Sequence, residues 1–177
     1  MKATDKVIIK ALQEDPEQGF RLLMAHYAEP LYWHIRRLVV SHADAQDATQ
    51  EALVRIFRNM GKLQQKSSLT AWIYRIATNE ALRIIAQRKP ATTPLEKLKT
   101  DGPTATELFD YDDLEAVKLQ QAILSLPTKQ QLTFNLRYYD ELSYDEIAAI
   151  TETTATAAKA NYHIAKNRII EYLQTHD

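Results

Sequence analysis

The stretch DAQDATQEALVRIFRNM, residues 44–60, decides the fold class. Within it Leu53, Ile56, Phe57 and Met60 fall at i, i+3, i+4 and i+7, so a helix gathers them on one stripe while a strand would split them between two faces. The spacing predicts that this stripe is buried. Asp44, Asp47, Glu51, Arg55 and Arg58 form a second, charged stripe that must meet water or a partner. Ser41 or Asp44 is placed to cap the helix start, and Gly61 stands where a C-terminal glycine would end it. Residues 62–68 are polar and read as a loop. A second helix follows over 69–88, with Ile73, Ile76, Ala77, Ala81 and Ile84 on its inner side and Arg75, Asn79 and Arg83, four apart, on another face.

Composition extends this helical reading to the whole chain. Of 177 residues only three are glycine and six proline, too few for a turn-rich sandwich or barrel or for a Gly-rich phosphate loop. The content of 45% hydrophobic and 25% charged residues is that of an ordinary globular chain. Apolar runs such as Leu38-Val39-Val40 are far short of the roughly 20 residues needed to cross a bilayer, and no secretory signal is visible, so the expectation is a cytoplasmic protein without direct membrane insertion. The chain has no cysteine, which excludes disulfides, thiolate nucleophiles and Cys-based zinc sites. Five histidines (26, 34, 42, 163 and 176) are scattered without metal-ligand spacing or a companion nucleophile. The reading therefore assigns no catalytic residue, no metal and no cofactor.

Charge divides the chain further. Residues 1–89 hold 14 Lys/Arg against 9 Asp/Glu, residues 90–127 hold 3 against 7, and residues 128–177 hold 5 against 7, within an overall charge of −1. Residues 90–113 contain Pro90, Pro94, Pro103 and Gly102 and lack apolar periodicity, as a flexible linker does. Apolar periodicity returns with Leu114, Val117, Leu119, Ile123 and Leu126. Thr128 with Gln131, and Ser143 with Glu146, read as capping boxes. Residues 143–151 and 155–168 then form two helices joined by a short turn, the layout of a helix-turn-helix. Asp140, Glu141, Asp145, Glu146 and Glu152 precede the turn with no base among them, while Lys159, Lys166 and Arg168 follow it with no acid, so the second helix can approach phosphates.

These residues resemble a known family. Residues 126–138 with Leu142-Ser143-Tyr144-Asp145-Glu146-Ile147-Ala148 are similar to the fourth domain of bacterial sigma factors of the extracytoplasmic-function group. Asp44-Ala45-Gln46-Asp47-Ala48-Thr49-Gln50-Glu51 with Phe57, and the run from Ala71 through Trp72 and Arg75 to Asn79, resemble their second domain. The resemblance spans about residues 20–89 and 114–173, in the family's order. It implies an all-α chain of two small helical domains, residues 1–89 and 114–177, on a flexible linker at 90–113 with no fixed spacing. It also implies a non-catalytic subunit that docks on core RNA polymerase and directs it to promoter DNA. An anti-sigma factor, commonly membrane-tethered, is the further partner that the family implies.

Residue by residue, the resemblance implies that Asp47, Gln50, Glu51 and Arg55 face the polymerase. Lys62, Lys66, Ser67, Trp72, Tyr74, Arg75, Asn79 and Arg83 match the part that reads and opens the minus-ten element, where an unstacked base needs a polar or aromatic pocket and the exposed strands need cations. Of the two aromatics Trp72 is read as mostly packing, and Asn79 and the loop as base contacts. Thr156, Lys159, Ala160, Asn161, His163 and Lys166 match the helix that meets the minus-thirty-five element in the major groove. Three residues depart from the family: Glu152 stands where glycine is common in the turn, Ala158 where valine is, and Ile164 where arginine is, leaving the recognition helix less basic than usual. A stand-alone helix-turn-helix regulator with an N-terminal sensor or dimerisation domain, and a protein-binding adaptor, are the rival readings.

Overall fold

The computed structural model of the chain describes residues 2–63, 68–88 and 113–176, and these are helical with no strand among them. In chain order the helices are α1 (Ala3–Glu14), α2 (Pro16–Val39), α3 (His42–Asn59), a 3-10 turn (Met60–Lys62), α4 (Leu69–Gln87), α5 (Leu114–Leu124), α6 (Thr128–Tyr138), α7 (Tyr144–Thr151) and α8 (Ala155–Thr175). Lys66, Ser67 and nearly all of the expected linker lie outside the described residues. Asp113, at the end of that linker, caps α5 by accepting from the Ala116 N–H at 3.0 Å. No helix among the described residues is long and apolar enough to cross a membrane.

Local chemistry explains most of the boundaries. Asp15 accepts from the Gln18 N–H at 3.3 Å and Pro16 supplies a preset φ, so α2 begins where a capping acid meets an N1 proline. Ser41 rather than Asp44 caps α3, accepting from the Asp44 N–H at 3.3 Å. Ser143 and Glu146 form the expected capping box. Thr128 and Gln131 do not. Pro127 itself takes the cap position, its carbonyl accepting from the Gln131 N–H at 2.9 Å, and the Gln131 side chain is buried. Nor does Gly61 terminate α3 with a left-handed residue. The helix tightens into the 3-10 turn, and no described glycine has positive φ.

The buried stripe of α3 also differs from the one expected. Ala45, Ala48, Ala52 and Ile56 are the residues packed away, whereas Leu53 and Met60 are half-buried and Phe57 is 50% exposed, its ring edge-on to Phe20 at 5.1 Å. Small side chains let α3 approach α2 and α4 closely, and a search for large apolar residues overlooks them.

One hydrophobic core joins Leu23, Leu31 and Ile35 of α2 with Ile56 of α3 and with Leu69, Ile73 and Ala77 of α4. The same cluster continues into Leu132 and Leu136 of α6, Leu142, and Ile147 and Ile150 of α7. A second core, formed by Ala122, Ile123, Leu126, Phe134, Ala165 and Ile169, ties α5 and α6 to α8. The N-terminal and C-terminal halves therefore meet in this structure, with α7 lying along α4.

α1 is anchored by Ile8, buried in the main core, and by a polar contact of which sequence periodicity gave no sign. Asp5 is buried, and its carboxylate accepts from the Tyr27 hydroxyl of α2 and, at 3.1 Å, from Thr70 of α4. Burial and the Asp5 carboxylate push the Tyr27 phenol upward, which keeps it a donor. Gly19 of α2 lets the end of α1 pack close, since a Cβ there would stand 2.4 Å from the Leu12 nitrogen and 2.5 Å from its Cα. Replacing Gly19 by alanine is expected to cost about 1 to 3 kcal/mol in denaturant or thermal unfolding, because backbone must give way. Gly61→Ala, where the new methyl meets nothing within 4 Å, is the control and should leave stability unchanged or slightly raised.

Candidate nucleic-acid interface

Three residues of α4 that the sequence placed on one face, Arg75, Asn79 and Arg83, are exposed on the helix. Trp72, a turn earlier, is half-buried against the core, while Tyr74 is the aromatic that is fully packed, 3% exposed. The Tyr74 hydroxyl donates to Asp140 Oδ1 at 2.9 Å, and the Arg75 guanidinium donates to Glu152. Both acceptors belong to the C-terminal half. Lys62 is exposed at the end of the 3-10 turn.

The residues assigned to polymerase docking sit on α3. Asp47 and Gln50 are exposed and border, with Tyr32 and Leu53, a shallow hollow of about 370 Å³. Glu51 is half-buried and lies 3.3 Å from Arg55 Nε. Arg55 is engaged elsewhere as well. Its Nε stands 2.6 Å from Glu80 of α4, a carboxylate only 4% exposed, and Arg83 reaches the other oxygen of the same group at 2.8 Å. Arg55 and Arg83, assigned to different partners, thus share one buried anion. Sequence reasoning missed Glu80, although its i, i+3 spacing from Arg83 was a signal available.

On α8, Thr156, Lys159, Ala160, His163 and Lys166 are exposed and Asn161 is half-buried. Ala158 is fully buried in the core beside the α7 isoleucines, so its departure from valine concerns packing and not a groove. Ile164 is 44% exposed. Arg168 is held by Gln130 at 2.9 Å. Glu152 does adopt the left-handed conformation, φ 56° and ψ 45°, which costs a non-glycine residue about 1 to 2 kcal/mol. Around it, Ala148 O accepts from the N–H groups of Glu152 and, at 3.0 Å, of Thr153, closing α7 in the usual helix-ending geometry.

The contact between the halves is rich in polar groups. Arg37 lies over the Tyr139 ring at 4.1 Å, Ser68 donates to Glu146 at 3.4 Å, and His34 sits beside Asp140 with Nδ1 3.7 Å from Oδ2. Total burial, and then the nearby Arg37 cation, lower the His34 pKa to about 3, so the imidazole is neutral and 3.7 Å is neither an ion pair nor a hydrogen bond. Its Nε2 pairs with Thr78 at 2.8 Å. Burial raises Asp140 to about 6, against the lowering influence of the Tyr74 hydrogen bond, Arg37 and Lys2. Among the described residues, no set of three or more His, Cys, Asp or Glu side chains is arranged to hold a metal ion.

Comparison with known proteins matches residues 23–90 to the family model for Sigma-70 region 2 and residues 116–169 to that for Sigma-70, region 4. The chain is 28% identical over 182 residues to the ECF RNA polymerase sigma-E factor of Escherichia coli (strain K12), covering 97% of this chain and 95% of that protein. It is also 28% identical over 185 residues to the ECF RNA polymerase sigma factor SigW of Bacillus subtilis (strain 168), covering 98% and 99%. Its fold is similar to CnrH, solved in complex with the cytosolic domain of CnrY, with a TM-score of 0.78 over 98% of this chain and 99% of that one at 16% identity. A second similar fold is the sigma factor RpoE of Bartonella quintana, solved with the anti-sigma factor NepR, with a TM-score of 0.71, 22% identity and coverage of 89% and 98%.

The Asp140 environment sets a pH dependence. A carboxyl held at about 6 against an ordinary 3.8 keeps its proton in the folded chain over the interval where the unfolded chain releases it. Its contribution to stability therefore grows as pH falls from about 7 towards 4, by at most about 1.4 kcal/mol per pH unit. Chemical denaturation of the wild type and of Asp140→Asn across this range should show the wild type gaining on the variant as acid is added. Parallel curves would mean that Asp140 is ionised in the fold as freely as in water.

Proposed function

The chain belongs to the extracytoplasmic-function (ECF) group of the sigma-70 family of RNA polymerase sigma factors, and we propose how its residues divide the work of transcription initiation. The observation that carries the reading is the presence of region 2 and region 4, in that order, on a chain whose α4 and α8 both expose cations. Residues 1–89 act as the domain that docks on core polymerase and opens the minus-ten element, residues 90–113 as the linker, and residues 114–177 as the domain that meets the minus-thirty-five element. No step of catalysis is assigned to the chain, and it acts in the cytoplasm. Core polymerase, promoter DNA and an anti-sigma factor are its partners, the last supported by the complex in which the Bartonella quintana factor was solved.

Geometry favours a particular split of roles. On α3, Asp47, Gln50 and Glu51 present the docking face beside the hollow that Tyr32 and Leu53 border, while Arg55 is a member of the face whose first obligation is to Glu80. On α4, Asn79 is the base-contacting residue, being exposed and polar next to cationic Arg75 and Arg83. On α8, Lys159 and His163 reach into the groove with Ala160 between them, and Lys166 meets phosphate. Both sigma regions on one chain favour this reading over a stand-alone regulator, which needs no polymerase face.

Run-off transcription from purified core polymerase tests the reading: the chain should direct initiation from a promoter that core alone ignores, whereas a repressor would only block. Glu51→Lys should weaken co-purification with core enzyme while the chain stays folded, its thermal melt lowered by no more than about 1 kcal/mol, as expected for loss of a half-exposed i,i+4 pair with Arg55. Asn79→Ala should impair promoter opening, scored by permanganate footprinting, and a pre-melted bubble should leave that defect in place, because the flipped base still lacks its partner. Lys159→Ala should act earlier, costing about 1 to 3 kcal/mol in closed-complex formation with relaxed preference at one base pair. A bubble that rescues Asn79→Ala in full would reverse these roles.

A further inference from the structure

The acidic segment before the helix-turn-helix turn has a use that its place in a DNA-binding domain does not explain. Asp140, Glu141, Asp145, Glu146 and Glu152 include no base, and three of them reach across to α4 or to the residue that starts it. Glu146 accepts from Ser68 at 3.4 Å, Asp140 from Tyr74 at 2.9 Å, and Glu152 from Arg75. The contacts follow one another from Ser68, the N-cap, through the first two turns of α4. Glu152 is held there in a backbone conformation that glycine would adopt more easily, so the carboxylate is present in spite of its local cost.

We propose that the acidic segment around α7, from Asp140 before it to Glu152 at its C-cap, is an internal competitor for promoter DNA: it covers the first half of α4, engages Arg75 and Tyr74, and must leave before α4 can meet nucleic acid. The proposal rests on the assignment of α4 to promoter DNA. It explains why a chain with a net basic N-terminal half carries an acidic patch at this point. The Glu152 carboxylate stands against Arg75 as a phosphate would, and the contact between α4 and α7 holds the recognition helix α8 in a fixed relation to α4.

The test uses the full chain. Small-angle scattering and binding of a fluorescein-labelled, A/T-rich single-stranded oligonucleotide are measured at low salt for the wild type, for Asp140→Lys/Glu152→Lys, and for Glu14→Lys/Glu115→Lys. The last has the same net charge with both changes at exposed sites away from the contact. The first variant should have a larger radius of gyration than the wild type and bind the oligonucleotide about tenfold more tightly than the charge-matched control. A wild type as expanded as the variant, or equal binding by variant and control, would overturn the proposal. Because the double change can damage folding, Arg75→Lys supplies a second readout. Carbodiimide should join its new ammonium to Glu152, found as a cross-linked peptide, and the oligonucleotide should suppress that product; no such peptide, or one indifferent to DNA, counts against closure. Run-off transcription separates the two levels. A chain that closes but never directs core polymerase fails the functional reading, and one that directs polymerase but never closes fails this proposal alone.

Discussion

Glu80 sits in the middle of α4 almost out of reach of water, and its charge is tolerable there because Arg55 and Arg83 take its two oxygens. Removing one partner of such a group leaves a buried charge short of compensation, at a cost of several kcal/mol, which is far more than an exposed pair is worth. The arrangement therefore fixes the rotation of α4 against α3. Once that rotation is set, Ile73, Ala77 and Ala81 must face the core, Arg75 and Asn79 must face outward, and Tyr74 must point towards the C-terminal half. Every functional assignment on α4 depends on this one angle.

The same angle brings different constraints together on neighbouring residues. Tyr74 matches the DNA-opening part of the family, yet here its ring is packed beside His34 at 5.2 Å and its hydroxyl is occupied. Burial, with the Asp140 charge behind it, pushes the phenol upward, so it remains a hydrogen-bond donor throughout the usable pH range. His34 stays neutral for the same reason, burial. Beside the apolar core that the halves share, their contact thus works with a neutral imidazole, a neutral phenol and one carboxyl of adjustable charge.

Much of this was legible in the sequence, where the signal was local. The charged stripes, the Ser143–Glu146 box and the helix-turn-helix layout depend on neighbours within a turn or two, and the helices formed as those neighbours require. What escaped was set by tertiary contact. Alanine, not leucine, defines the buried face of α3, because the distance between helices chooses small residues and periodicity of large ones is blind to distance. Glu80 went unread and Asp140 was read only as one of the acids before the turn, since local sequence could at most pair Glu80 with Arg83 and does not announce that Arg55, 25 positions away, or Tyr74, 66 away, will meet these acids. Glu152 was legible as a strained residue and illegible as a partner of Arg75.

The contact between the halves has an apolar part, the core that α4 shares with α6 and α7, and a polar part, and the two answer differently to salt. The apolar part closes without regard to salt, because burial is not screened. In the polar part, exposed ion pairing such as Arg75 with Glu152 is screened, but only as two charges are. Nucleic acid differs, because each phosphate neutralised by a protein cation also releases condensed counterions, so affinity falls steeply with the logarithm of salt. When α7 and DNA compete for α4, rising salt weakens both contacts and weakens DNA more. Closure is then favoured at high ionic strength and DNA engagement at low, an ordering that follows from the two kinds of anion and not from the strength of any single contact.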